Sequence, residues 1–256
     1  MIPEPTDNPE VRTPHSNEEP FRIKEAIAFF RDLAIILVVV MFVRTYVASP
    51  FRISGNSMEE NYHDQEFILV DKFSYADFGV EKVGDPQRGD VVILRPHANN
   101  GKEYYIKRVI GIPGDVIEFK DGEVFLKTKD MPEAVKLNEK YLSAFNKGRT
   151  FLPNDVRNPK FEVPEGEYFV MGDNRNNSSD SRSCFRSCVT GDVGHYLKRS
   201  DIVGKVFLDI GYFKIFDAFE MVPFQFQIAK NVGWVIKPRL LDTPRIWNYE
   251  ELGAQK

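Results

Sequence analysis

Apolar and polar positions divide the chain into four stretches. Residues 1–25 carry five prolines (Pro3, Pro5, Pro9, Pro14 and Pro20) and many acids, with too few large apolar groups to offset the entropy of ordering, so a disordered tail is expected. Residues 26–48 turn apolar, with an unbroken run from Leu33 to Val43 flanked by Arg31 and Arg44, before Pro50 stops any helix. At 1.5 Å per residue such a helix reaches about 30 Å, the thickness of a bilayer core. Residues 49–208 then show short β-branched and aromatic runs at 66–70, 90–94, 104–110, 116–119, 123–126, 167–171 and 202–208. Turn formers separate them: Arg88-Gly89-Asp90, a Pro113-Gly114 pair suited to the centre of a type II turn, and an Asp121-Gly122 hairpin signal. The expectation is a mainly β, mostly antiparallel fold. Within it, residues 127–160 are more polar, with a weak helical period over 133–145, and read as an inserted cap. Residues 209–256 form a C-terminal extension rich in Phe, Tyr and Trp, equally suited to a membrane interface and to burial against the sheet.

The apolar run has three readings: a buried core helix, a cleaved signal peptide and a retained anchor. A cleavage site is poorly matched, because Tyr46 stands two places before the small residue Ala48 and Pro50 lies just beyond. The retained anchor is preferred. Arg22, Lys24 and Arg31 precede the run, so the positive-inside rule puts the amino terminus in the cytoplasm and the β domain on the other side of the membrane.

Composition narrows the function. The chain has 256 residues, 42% hydrophobic and 28% charged, with a net charge of -4; it can bury a sizeable core and offers no basic row to neutralise phosphates, so nucleic-acid partners are excluded. No glycine-rich phosphate loop is present, and a zinc site around His195 would lack a fourth ligand, so neither cofactor nor metal is expected.

Ser54-Gly55-Asn56-Ser57-Met58 is a punctuated loop that could present a nucleophile, and a serine hydroxyl needs a base. His15 lies in the tail, and His63, His97 and His195 sit in polar stretches without a matching aspartate. Lys107 instead falls in a strand with apolar and aromatic neighbours, sharing a face with Tyr105. Burial there would lower its pKa and make it a base. The strand pattern alone favours an ordinary exposed lysine.

A third segment decides between these: Gly172-Asp173-Asn174-Arg175-Asn176-Asn177-Ser178-Ser179-Asp180-Ser181-Arg182, dense in hydroxyls and opposed charges directly after a strand. Taken in order, Ser-Gly-Asn-Ser-Met, Arg-Gly-Asp-Val-Val, Tyr-Ile-Lys-Arg-Val-Ile-Gly-Ile-Pro-Gly-Asp and this segment resemble the motifs of bacterial type I signal peptidases, over the anchor and roughly residues 51–207. The resemblance implies that family's antiparallel β-fold and a membrane-bound serine endopeptidase removing signal peptides from exported preproteins. Ser57 would be the nucleophile and Lys107 the general base. Ser178 would hydrogen-bond the lysine amine, and Asp173, Arg108, Asp180 and Arg182 would form ion pairs that shape the site. The backbone N–H of Ser57 would be one oxyanion donor. Some members add a serine two places earlier, but that place is Gly55 here, leaving Ser54 as the candidate. Met58, Ile53, Ile106 and Phe51 match substrate-pocket walls, Phe51 fitting a core role equally well. The chain also departs from the family's Ser-Met-x-Pro-Thr-Leu turn, having Glu59-Glu60-Asn61-Tyr62, and has Asn176 where aspartate is common.

Cys184 and Cys188, on the export side, are a disulfide candidate provided the loop brings their Cα atoms within about 7 Å. The expected partners are signal-peptide-bearing preproteins and membrane lipid. Two rivals stand beside this reading: a self-cleaving repressor with Ser–Lys chemistry, which would need a DNA-binding domain that nothing before Phe51 supplies, and a membrane-anchored β module that binds peptides without cutting them.

Overall fold

The computed structural model describes residues 23–59, 61–77, 79, 83–96, 103–154, 156, 158–186 and 194–211, together with the backbone of 221–222, 225–226 and 239–240. Residues 1–22 of the expected disordered tail and most of the C-terminal extension lie outside these residues, while residues 23–25, assigned to the tail from sequence, are helical.

The chain divides into two compact units, residues 1–42 and 43–256. The first contains α1 (Ile23–Phe42), which has no buried residue and exposes Ile35, Leu37, Val39 and Phe42 among others. An apolar helix with no buried face is not a soluble core helix. The helical run Ile23–Val47, 25 residues and so about 37 Å, is long and apolar enough to cross a membrane. Arg31 donates to Asp32 from both Nε and Nη2, at 2.9 and 2.8 Å, so the acid inside the helix carries its own counter-charge, the other acid, Glu25, lying in the first turn.

The second unit is the mainly antiparallel β structure that the alternation predicts. One sheet contains β1 (Ala48–Arg52), β2 (Phe67–Asp71), β3 (Val91–Leu94), β4 (Tyr105–Gly111), β9 (Glu167–Met171), β10 (Leu197–Lys198) and β11 (Ile202–Gly211) in the order β1-β2-β11-β3-β4-β9-β10, with β14 (Arg239–Leu240) also paired to β11. β12 (Met221–Val222) and β13 (Gln225–Phe226) pair with each other. Register shifts along β11, between Ile202 and Gly204, Val206 and Leu208, and Asp209 and Gly211, curl the sheet. β1 is its edge strand, and there Pro50 costs no ladder bond on the outer side.

The second sheet is β7-β6-β5-β8, from β5 (Val116–Lys120), β6 (Glu123–Lys127), β7 (Val135–Lys136) and β8 (Lys160–Glu162). Two sequence turns build it. Gly114 has φ +86° and Asp115 N donates to Ile112 O at 3.0 Å, which closes the Pro113-Gly114 turn; Asp121 and Gly122 both have positive φ, 53° and 77°, as a tight hairpin requires. Arg88 clasps buried Asp115, tying the turn to the first sheet. The Arg-Gly-Asp triplet is a turn: Asp90 N bonds Gln87 O, and its carboxylate accepts from Tyr75 Oη and Lys205 Nζ.

The helical period over 133–145 does not become a helix. That stretch holds β7 followed by turns, because Glu139 and Tyr141 are drawn inward to buried arginines, as described below. Three apolar clusters flank the two sheets, and β4 contributes to all of them through Ile106, Val109 and Ile110. A strand wedged between β3 and β9 is covered on both faces, so everything from Ile106 to Gly111 is buried. Lys107 goes inside with its neighbours.

Candidate active site

Ser57 belongs to the turn region between β1 and β2, and the loop after β9 clamps it. Asn174 N donates to Ser57 O at 3.0 Å, Asn174 Nδ2 to Asn56 O at 3.0 Å, and Asp173 N to Met58 Sδ at 3.4 Å. Ahead of the serine, Gly55 adopts φ +100° and donates its N–H to Asp64 Oδ1 at 2.8 Å.

Lys107 is 1% exposed. Its Nζ donates to Ser57 Oγ at 2.7 Å and to Ile106 O at 2.8 Å, and lies 5.4 Å from the centre of the Tyr105 ring, the residue expected on its face. Burial pushes the amine down from 10.5 to about 8, against Asp180 and Asp173, which push it up, and with Arg182, which lowers it. Near pH 8 the group is therefore shared between ammonium and neutral amine, within 2.7 Å of the Ser57 hydroxyl oxygen.

Two buried ion pairs surround it. Arg108 grips Asp173 with Nε and Nη2, at 2.8 and 2.6 Å, and donates Nη1 to Gly89 O at 2.9 Å. Arg182 grips Asp180 with Nε and Nη2 at 3.0 and 2.9 Å, while Asp180 also accepts Gly172 N at 3.0 Å. Although burial raises the Asp180 carboxyl, Arg182 and the Gly172 N–H hold it below its ordinary value. All four expected ion-pair residues are thus joined in pairs.

Ser178 differs from expectation. Its Oγ is buried without a hydrogen-bond partner among the described residues, and Lys107 Nζ is engaged by Ser57 and Ile106 instead. The hydroxyl packs against the Cα of Gly172, where an added Cβ would collide with both Ser178 Oγ and Ser57 O. Glycine is what lets the loop and Ser57 approach this closely.

Beside Ser57 and Lys107 opens a cleft of about 440 Å³, lined on one side by Phe51, Arg52, Ile53 and Ser54 and on the other by Glu103, Tyr104, Tyr105 and Ile106, with Ile68 and Ile93 beneath. Three of the four expected wall residues line it. Met58 does not: it is 1% exposed in a core cluster, its sulfur occupied by the Asp173 N–H. Phe51 serves both alternatives left open by the sequence, lining the cleft and packing edge-on against Tyr104 at 5.2 Å.

His63 contacts Glu66, and His195 contacts Ser181 O and the Phe161 ring; neither is hydrogen-bonded to Ser57. His97 and His15 lie outside the described residues. Cys184 is disulfide-bonded, and Cys188 lies outside the described residues. Among the described residues no group of three or more His, Cys, Asp or Glu could hold a metal.

Several site residues escaped sequence reasoning. Arg175 is buried and bonds Gly172 O, both oxygens of Glu139, Thr150 Oγ1 and Tyr141 Oη. Asn61 donates to Tyr141 O at 2.9 Å and Asp173 Oδ2 at 2.8 Å. Arg175 was in plain view within the third motif and Asn61 within the departing turn. For Glu139 and Tyr141 the local sequence carries no signal.

Comparison with known proteins agrees with the motif order. Residues 26–210 match the family model for signal peptidase, peptidase S26. Signal peptidase I of Pseudomonas fluorescens is 35% identical over 212 residues, covering 75% of this chain and 73% of the relative. Signal peptidase I P of Bacillus subtilis subsp. natto is 36% identical over 159 residues, covering 61% of this chain and 78% of that one. A crystal structure of a signal peptidase I from Enterococcus faecalis is 29% identical, covering 47% of this chain and 96% of that one, with a TM-score of 0.34. The match over 26–210, spanning the apolar helix, Ser57, Lys107 and the loop after β9, places the chain in the signal peptidase family, peptidase S26.

Proposed function

We propose that this protein is a membrane-anchored serine endopeptidase that removes signal peptides from exported preproteins, with Ser57 as nucleophile and Lys107 as general base. The observation that carries this is the 2.7 Å contact between Ser57 Oγ and a lysine amine buried to 1% exposure. Neutral Lys107 takes the proton from Ser57 Oγ as the oxygen attacks the scissile carbonyl, then hands it to the departing amine. Water, deprotonated by the same amine, attacks the acyl carbon; the bond to Ser57 Oγ breaks and the amine returns its proton to that oxygen. Ser57 N–H is the first oxyanion donor, and Ser54, which lines the same cleft, is the candidate for the second. Asp173, Arg108, Asp180 and Arg182 hold the site's shape, and Ser178 is proposed to turn its uncommitted hydroxyl toward Lys107 once substrate shifts the amine.

The substrate backbone extends along the free edge of β1, and its small side chains fill the apolar cleft floored by Ile53, Ile68, Ile93 and Ile106. The run Ile23–Val47 anchors the enzyme in lipid, with the amino terminus cytoplasmic and the β domain outside the cytoplasm, where exported chains emerge. The test uses the detergent-solubilised full chain and a preprotein with small residues one and three places before the cut. Wild type cleaves it, whereas Ser57→Ala and Lys107→Met do not; continued cleavage by both variants refutes the assignment.

A further inference from the structure

We propose that Tyr141 is a positioning residue of this active site, holding the nucleophile turn, the base strand and the loop after β9 in register, so that the polar segment 127–160 is a working part of the site. The proposal rests on the peptidase reading and extends it to a residue far from the motifs.

Tyr141 touches each of the three segments through a different group. Its carbonyl oxygen accepts Asn61 Nδ2 at 2.9 Å, and Asn61 stands four residues after Ser57. Its ring lies 4.1 Å from the guanidinium carbon of Arg108, the residue that follows Lys107. Its hydroxyl accepts from Arg175 Nη2 at 2.9 Å and donates to Glu139 Oε1 at 2.7 Å, and Arg175 in turn bonds Gly172 O. The side chain packs against the apolar cluster around Ile110 and Phe169, and beyond that filling role it meets two guanidiniums and a carboxylate.

The Asn61 link matters because of what the turn lacks. Without the family's proline, nothing covalent fixes the backbone after Ser57. Asn61 supplies the restraint, donating at once to Tyr141 O and to Asp173 Oδ2, the carboxylate already held by Arg108. The ring meanwhile covers one face of the Arg108 guanidinium, whose edges are occupied by Asp173 and Gly89 O, and so keeps water from the pair beside Lys107. A shift of about 1 Å between nucleophile and base is enough to cost a large factor in rate.

The test compares full-length wild type, Tyr141→Phe, Tyr141→Leu and Asn61→Ala in detergent, measuring kcat and KM on a preprotein and following Lys107 directly by NMR titration of its Cε methylene, assigned through Lys107→Met. Asp173, Asp180, Arg182, Tyr105 and Ser57 are the groups facing that amine. Tyr141→Leu is expected to lower kcat by about tenfold or more with KM within about twofold, and to move the Lys107 midpoint upward as water reaches it. Tyr141→Phe, which keeps the ring over Arg108 and loses only the hydroxyl, is expected to stay within about threefold of wild type. Wild-type kcat together with an unmoved Lys107 titration in Tyr141→Leu overturns the proposal. Should that variant fail to fold, Asn61→Ala decides: a several-fold loss of kcat at constant KM supports positioning, and an unchanged kcat refutes it. If wild type cleaves nothing while the Lys107 titration still responds to Tyr141→Leu, the positioning stands and the peptidase reading falls.

Discussion

Replacing Lys107 by methionine should change how stability depends on pH, in a direction fixed by burial. In the unfolded chain the amine titrates at its ordinary 10.5, whereas in the folded protein burial lowers it to about 8. Below pH 8 both states bind the proton, and the folded state carries the full cost of a buried ammonium, about 3 kcal/mol for that separation. Between pH 8 and 10.5 the unfolded state binds more protons than the folded one, so stability rises with pH across this window. From pH 7 to pH 10 the wild type should gain about 2.5 kcal/mol relative to Lys107→Met. Only the part of the hydrogen bonds to Ser57 Oγ and Ile106 O that does not depend on the charge of the amine cancels in the difference; the rest belongs to the titration itself. Denaturant unfolding of the full chain in micelles, followed by far-UV circular dichroism at both pH values, measures it. Parallel pH profiles would mean that Lys107 keeps a solvated charge in the folded protein, and the case for a neutral base would be lost. The same titration should govern catalysis, with kcat/KM rising through an apparent pKa near 8.

Three further outcomes follow from the geometry. Gly172→Ala places a methyl group on Ser57 O and Ser178 Oγ, which must separate loop from nucleophile; kcat should fall by about 100-fold or more while far-UV circular dichroism stays native, and near-normal turnover would contradict the packing. Arg182→Leu strips Asp180 of its buried partner, destabilising the fold by about 3 to 5 kcal/mol and raising Lys107, so that the acid limb of kcat/KM moves to higher pH; an unmoved limb would show that Asp180 does not act on the amine. Phe51→Ala removes a cleft wall and the edge-on contact with Tyr104, worth about 1 kcal/mol, and should raise KM about fivefold with little change in kcat; an unaltered KM would assign Phe51 to the core alone.

The fold was legible wherever local pattern and local geometry coincide. Pro113-Gly114 and Asp121-Gly122 are turns because their backbone angles demand those residues, and the strands between them alternate as drawn. The 133–145 stretch misled because Glu139 and Tyr141, two residues apart, both turn inward, toward arginines fixed by a strand and a loop elsewhere, a spacing that no helix face allows. Periodicity cannot distinguish a face turned toward a core from side chains reaching for buried charge. Met58 misled for a related reason: adjacency to the nucleophile suggested the cleft, but the next residue along a tight turn points the other way, into the core. The expected bond between Ser178 and Lys107 is not formed because the amine is engaged by Ser57 Oγ and Ile106 O, a choice of acceptor that no motif encodes.

Two carboxylates close to a lysine would ordinarily keep it protonated, and Asp173 and Asp180 do act on Lys107 in that direction. Their effect is contained because each is already gripped at both oxygens, Asp173 by Arg108 and Asp180 by Arg182. The pairs are close to neutral as seen from the amine, and desolvation, which opposes the ammonium alone, prevails. The guanidiniums therefore hold down the pKa of Lys107 as well as shaping the scaffold. They must also be buried, because solvent-exposed pairs would loosen and admit the water whose exclusion lowers the lysine in the first place. This ties the chemistry to β4: a strand covered on both faces can carry a lysine and an arginine side by side only if each finds its partner inside, and Ser57 Oγ and Asp173 are those partners.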